Sequence, residues 1–227
     1  MAKDCPLYGK AIYMDCLECD EKLCKKPYKY KRVIIGVDQS YQNTGISIAG
    51  DGKLLKVRAI DLSKIKTKRE KREKVSSTIE SVIKAVQPKA SEVVCIVEKI
   101  RLHSHAGMSV NYIKSIGALI AVISDMCGKY GIETYSVDTR CWKSQVIGTS
   151  KPETNKYGVP PEKWPTVKWC IQHGFENAIT KEVTGRKTKG TFIRDDRRYM
   201  YDNDAADSAG IAMFGFVGDP LKLHLEQ

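Results

Sequence analysis

The chain has 227 residues, 42% hydrophobic and 29% charged, with a formal net charge of +11, a composition that suits one good-sized core and a small appendage. No apolar run approaches the roughly 20 residues that span a bilayer, and charge and cysteine break up the opening MAKDCPLYGKAIYMDC, so no signal-peptide core forms there. The expectation is an intracellular, cytoplasmic protein with no membrane partner, bacterial or encoded by a virus or phage in an infected cell.

Residues 1–30 are rich in cysteine and lysine and poor in hydrophobic periodicity. VIIGVD (33–38) is then a short β-branched run that predicts a buried strand. TGISIAG (44–50) and GKLLKVRAID (52–61) follow, with the hairpin signal GDG between them. From 68 the spacing of Val75, Ile79, Val82, Ile83 and Val86 predicts an amphipathic helix, which Pro88 ends. EVVCIVEKI (92–100) is a second buried strand, and residues 108–127 predict a longer helix, apolar on most sides and stopped by Gly128. IETYSVD (132–138) returns as a strand. A Pro/Gly-rich loop leads to the short helix TVKWCIQHG, capped by Gly174; residues 177–200 show little periodicity and read as an insertion or flexible arm; a last helix lies within YDNDAADSAGIAMFGF (201–216). The order predicts an α/β fold, a mixed sheet with helices on both faces. It would occupy 31–227 with loops or insertions at 151–165 and 177–200, after a separate cysteine-rich segment over 1–30.

Basic residues cluster: six between Lys22 and Arg32 with no acid, seven in 63–74 against two acids, and seven in 181–198 against three. Each cluster alone also suits a solvated face. Together they favour a polyanion, since neutralising phosphates releases condensed counterions. The acids stand elsewhere. Asp38 and Glu98 each follow four or five apolar residues, where a buried strand emerges, and Asp204 and Asp207 share the first face of the last helix at i and i+3. Asp204 alone also suits a helix cap, and Asp38 a turn. Four converging carboxylates would repel one another unless cations lay between them. Mg²⁺ suits such a set, and two ions roughly 4 Å apart clamp the attacking and leaving oxygens of a phosphodiester.

GVDQSYQNTGISI, CIVEKI and NDAADSAGIA resemble the three acidic motifs of RuvC-like Holliday junction resolvases, which have an RNase H-like fold. CWKSQVIGTSK resembles the segment that supplies that family's active-site lysine. The resemblance spans about Val33 to Phe216; the last motif matches letter for letter, while QSYQNTG departs from the turn that often follows the first aspartate. It implies that Asp38, Glu98, Asp204 and Asp207 hold two Mg²⁺ ions, with Mn²⁺ as a substitute, and that Lys143 approaches the scissile phosphate to stabilise transition-state charge. It also implies a homodimer that cuts four-way DNA junctions by paired symmetric nicks, with Gly117 and Ala118 letting the 109–127 helix meet its copy; an ordinary core helix is the other reading. In RLHSHAGMSVNY, the loop after the second acid, Arg101, His103, His105 and Tyr112 would touch the junction, although the histidines also suit a plain surface. Lys151, Arg186, Lys187 and Lys189 are further candidate DNA contacts.

Cys5, Cys16, Cys19 and Cys24 lie in a segment with few hydrophobes and suit a tetrahedral Zn²⁺ site, or else free reduced thiols. Cys95, Cys127, Cys141 and Cys170 fall in apolar stretches and predict buried small hydrophobes. The leading function is a metal-dependent, structure-selective endodeoxyribonuclease. The alternatives are a relative acting on flaps, branched replication intermediates or RNA–DNA hybrids, a non-catalytic zinc-bearing DNA-binding protein, and a sugar-kinase-like fold, for which the chain is short.

Overall fold

In this computed structural model, which describes residues 28–100, 110–183 and 190–226, β1 (Tyr30–Asp38) organises the sheet. Its Val33, Ile35 and Val37 are buried in one apolar cluster and Ile34 in another, so the strand is covered on both faces, as an unbroken apolar run requires. β2 (Asn43–Gly50) and β3 (Lys53–Asp61) complete an antiparallel meander on one side of it. Asp51 and Gly52 turn the hairpin at φ of 48° and 77°, the left-handed geometry that two-residue turns need.

α1 (Lys68–Val86) begins at a capping box between Thr67 and Glu70 and buries the expected stripe, Val75, Ile79, Val82, Ile83 and Val86. β4 (Ala90–Glu98) then lies parallel to β1. α2 (Val110–Gly128) buries Ile116, Leu119, Ile120, Ile123 and Cys127 and joins α1 on the odd-numbered face of β1. By length and composition alone α2 is long and apolar enough to cross a membrane, the one such helix among the described residues, which departs from the expectation that no stretch would be. β5 (Glu133–Val137) extends the sheet in parallel to β4.

The second half differs most from expectation. After β5, a short helix α3 (Thr139–Trp142) runs into a π-helical turn, Lys143–Ile147, ended by Gly148 at φ 81°. α4 (Trp164–Gln172) follows the Pro/Gly-rich loop. The stretch that reads as a flexible arm instead forms, among its described residues, a small antiparallel sheet of β6 (Thr180–Glu182), β7 (Phe192–Arg194) and β8 (Arg197–Tyr201), in the order β6-β8-β7. Strands of three to five residues are too short to show a period. Aromatic packing holds them: Phe192 and Tyr201 centroids are 4.7 Å apart, and Tyr157 stands 5.5 Å from each.

α5 (Asn203–Val217) crosses the even-numbered face of β1, and β9 (His224–Glu226) pairs antiparallel with β5. The main sheet thus runs β3-β2-β1-β4-β5-β9, mixed, with helices on both faces. α5 buries small residues at Ala205, Ala206, Ser208, Ala209, Gly210 and Ala212, and the sheet answers with glycine. A Cβ at Gly36 would collide with the backbone of Ser208 and Ala212, and one at Gly45 with the Asp204 carbonyl. The buried hydroxyls of Ser47 and Ser208 meet at 2.6 Å across this interface.

Candidate active site

Period-two alternation puts Asp38 on the same side of β1 as Ile34, and Glu98 on the same side of β4 as Val94 and Ile96, which is the α5 side. The strands run parallel with Val37 opposite Val97, so the two acids emerge side by side at the carboxyl ends. The Gln39 side chain ties those ends together: its Nε2 donates to the Glu98 carbonyl at 2.6 Å, and its Oε1 accepts from the Glu98 N–H at 3.2 Å. The Thr139 hydroxyl, at the start of α3, donates to Glu98 Oε1.

Two further acids come from the first turns of α5. Asp202, not Asp204, is its N-cap, accepting from the Ala205 N–H at 3.1 Å. Asp204 is therefore not needed as a cap. Asn43 Nδ2 donates to Asp202 at 2.8 Å and to Asp204 at 2.9 Å, while Lys181 pairs with the other oxygen of Asp202 at 2.9 Å. Close helix–sheet approach at Gly36 and Gly45 seats Asp204 and Asp207 over the strand ends.

The electrostatics are those of crowded carboxylates. Burial first, then the charges of Glu98, Asp207 and Asp204, push the Asp38 carboxyl well above its usual range, with Lys163 pulling the other way. Burial, then Asp207, raises Glu98 against the Thr139 hydrogen bond. Burial also raises Asp204. Lys163 Nζ hydrogen-bonds Asp207 Oδ2 and stands 3.9 Å from Asp38 Oδ2. Burial works against its charge, but Asp207 and Asp38 more than compensate and raise its pKa. Lys143 Nζ is 3.8 Å from Asp207 Oδ1, yet its hydrogen bond goes to the Glu162 carbonyl at 2.9 Å.

The donor chemistry fits a hard divalent cation. Among the described residues, Asp38 Oδ2 and Asp207 Oδ1 are buried oxygens with no hydrogen-bond partner, an arrangement that costs free energy unless a cation compensates. As the side chains stand, however, no three His, Cys, Asp or Glu groups among the described residues gather closely enough to hold an ion; the Lys163 ammonium lies between Asp38 and Asp207. Asp38, Glu98 and Asp204 open onto a cavity of about 420 Å³ that Tyr112, Thr139 and Lys163 also line, while Asp207 is buried behind it. A separate groove of about 350 Å³, under Lys29, Tyr30 and Val86, has no acid in its walls.

Among solved structures, the chain is similar to Thermus thermophilus RuvC in complex with a Holliday junction substrate, at TM-score 0.53 and 11% identity over 86% of this chain and 99% of that one. A second Thermus thermophilus RuvC structure gives TM-score 0.50 and 12% identity over the same shares. The fold is RNase H-like. The yeast mitochondrial Holliday junction resolvase Ydc2 is matched at TM-score 0.47 and 13% identity, over 83% of this chain and 79% of that one. No protein-family model matches the chain, and no curated protein matches it in sequence.

On this RNase H-like frame, Asp38, Glu98 and Asp204 line one cavity with Tyr112 exposed at it, Asp207 meets Asp38 through Lys163, and Lys143 stands beside Asp207. Lys151 is exposed on the loop before α4. Arg101, His103, His105, Arg186, Lys187 and Lys189 lie outside the described residues, as do Cys5, Cys16, Cys19 and Cys24. Of the remaining cysteines, Cys95, Cys127 and Cys170 are buried and Cys141 partly so. Sequence reasoning misses Lys163, Asn43, Gln39 and Thr139. The signal for Lys163 is faint, a lone lysine between prolines and a tryptophan in PPEKWP; Asn43 and Gln39 sit inside the first acidic motif.

Proposed function

We propose that the protein is a metal-dependent endonuclease that resolves four-way DNA junctions by paired symmetric nicks. The observation that carries this reading is the set of four carboxylates at the carboxyl ends of β1 and β4, under the first turns of α5. Such a set would repel DNA in a protein that only bound it, and the +11 charge of the chain favours a polyanion. Thermus thermophilus RuvC, similar in fold, has been observed with a Holliday junction substrate, which supports branched DNA as the partner here.

Mg²⁺, or Mn²⁺ in its place, would supply when bound the Lewis acidity that activates water and stabilises the leaving oxygen. Asp38, Glu98, Asp204 and Asp207 would hold it. Asn43 and Thr139 orient Asp204 and Glu98 through the hydrogen bonds described, and Gln39 fixes the spacing of the two strand ends. Lys143 is nine-tenths buried and hydrogen-bonded to the Glu162 carbonyl. Its part in this geometry is to balance Asp207 and hold the start of α4 against the acids. Lys163, whose side chain is 30% exposed, is the cation on the cavity side. A two-fold junction asks for a two-fold enzyme, and α2, with Val110 exposed and room for a Cβ at Gly117 in ordinary contact with Ile100, is the proposed homodimer face. Tyr112 and Lys151 are proposed DNA contacts, and the N-terminal cysteines a zinc site.

The test is a nicking assay on a synthetic four-way junction with and without Mg²⁺, against linear duplex, flap and RNA–DNA hybrid. Paired symmetric nicks on the junction alone support the proposal. Cutting of flaps or hybrids in preference would keep the chemistry and change the substrate; binding without cutting in any divalent metal would overturn it.

A further inference from the structure

Among the described residues, two lysines reach the acids, and they are held differently. The Lys143 ammonium is fixed by the Glu162 carbonyl, and its side chain is only 8% exposed. Lys163 stands at the start of α4, where its N–H donates to the Pro160 carbonyl at 2.9 Å and the next four residues, Trp164, Pro165, Thr166 and Val167, are buried. Its backbone is therefore anchored while its ammonium, on a four-carbon stem, is the movable part. That ammonium hydrogen-bonds Asp207 and lies 3.9 Å from Asp38, between the two acids that each keep a buried oxygen without a hydrogen-bond partner among the described residues. The stem borders the cavity of about 420 Å³, which leaves room for it to withdraw.

We infer that the Lys163 side chain is a built-in counter-cation that a divalent metal must displace from between Asp38 and Asp207, so that metal loading competes with the protein's own lysine. The inference rests on the reading of the acids as a metal site and adds to it a control on loading. An ammonium and a divalent ion cannot share that space without strong repulsion in a partly desolvated site. Without metal, Lys163 neutralises acids that would otherwise repel one another across the strand ends. With metal, the displaced ammonium stays at the cavity, where a phosphodiester oxygen would hold it away from the acids. Substrate would then favour metal loading, and metal would favour substrate, by the reciprocity of linkage.

The experiment is Mn²⁺ binding to the full chain without DNA, by isothermal titration calorimetry, for wild type, Lys163→Met, Lys163→Gln, Lys163→Arg and Asp207→Asn. The two neutral variants are expected to bind Mn²⁺ about tenfold or more tightly than wild type, and Lys163→Arg, which keeps the charge, within about threefold of it. The neutral variants should also unfold at lower temperature in EDTA and recover on adding Mn²⁺. Neutral variants that bind Mn²⁺ no more tightly than wild type, while Asp207→Asn loses binding, would overturn the inference and leave the metal site standing. No Mn²⁺ binding by wild type or by any Lys163 variant would overturn both.

Discussion

Asn43 is a single side chain set between two aspartates, and its amide is the direct link from β2 to the first turn of α5. Removing it with Asn43→Ala would leave Asp202 paired with Lys181 and Asp204 without the hydrogen bond that lowers its pKa. Cleavage is expected to fall about 10- to 100-fold, the usual loss for a group that orients a ligand, with the unfolding midpoint moved by only a few degrees. Steady-state kinetics and thermal unfolding on the same preparation check this. The acids themselves are legible in sequence because each closes an apolar strand or opens a helix, positions that local pattern reveals. Lys163, Thr139 and Gln39 act through neighbours 44, 41 and 59 residues away, and no local pattern announces such a meeting. Lys143 shows the complementary limit: the segment around it draws attention, but the direction of its ammonium, toward the Glu162 carbonyl, is settled only by packing.

At the scale of elements, the site depends on how closely α5 lies on the sheet. Gly45→Ala would drive a methyl into the Asp204 carbonyl, and Gly36→Ala one into the turn at Ser208 and Ala212. Overpacking of this kind costs about 1–3 kcal/mol, occasionally more. Gly45→Ala is expected to reduce both unfolding stability and cleavage, since the displaced turn carries Asp204 and Asp207; chemical denaturation together with cleavage rates measures both. A second joint lies between α1 and the end of α2, where Glu80 accepts from the Tyr130 hydroxyl at 2.6 Å and pairs with Lys84 and Lys129 at 3.2 Å. These partners, Tyr130 foremost, lower the Glu80 carboxyl from 4.5 to about 2. Because the folded value is depressed, the stability Glu80 contributes is fully present above about 4.5 and is lost as pH falls toward about 2. Glu80→Gln should therefore lower the unfolding midpoint at neutral pH, and its difference from wild type should shrink on acidification through that window. The main strands and α1, α2 and α5 are legible from periodicity, while β6–β8 and β9 are not, since strands this short acquire their identity from aromatic neighbours or from a strand partner.

For the whole molecule, charge and topology divide the work. The mixed sheet brings acids from both ends of the sequence to one place, and the excess of 11 positive charges is available for phosphates. Junction affinity is expected to fall steeply with salt, by about 10³- to 10⁵-fold between 50 and 200 mM if six to ten phosphates are contacted; a flat response in a fluorescence-anisotropy titration would contradict the nucleic-acid assignment. The α/β architecture is legible in the order of strands and helices, but the juxtaposition of Asp38 and Glu98 with Asp204 and Asp207 is a property of the assembled sheet. The most direct measurement of the central claim compares wild type with Asp207→Asn on one labelled four-way junction, scoring binding and cleavage in Mg²⁺ side by side. Comparable binding by both is expected, with paired nicks from wild type and a loss of more than about a hundredfold in cleavage for the variant, beyond what orienting groups alone contribute. Undiminished cleavage by Asp207→Asn would contradict it.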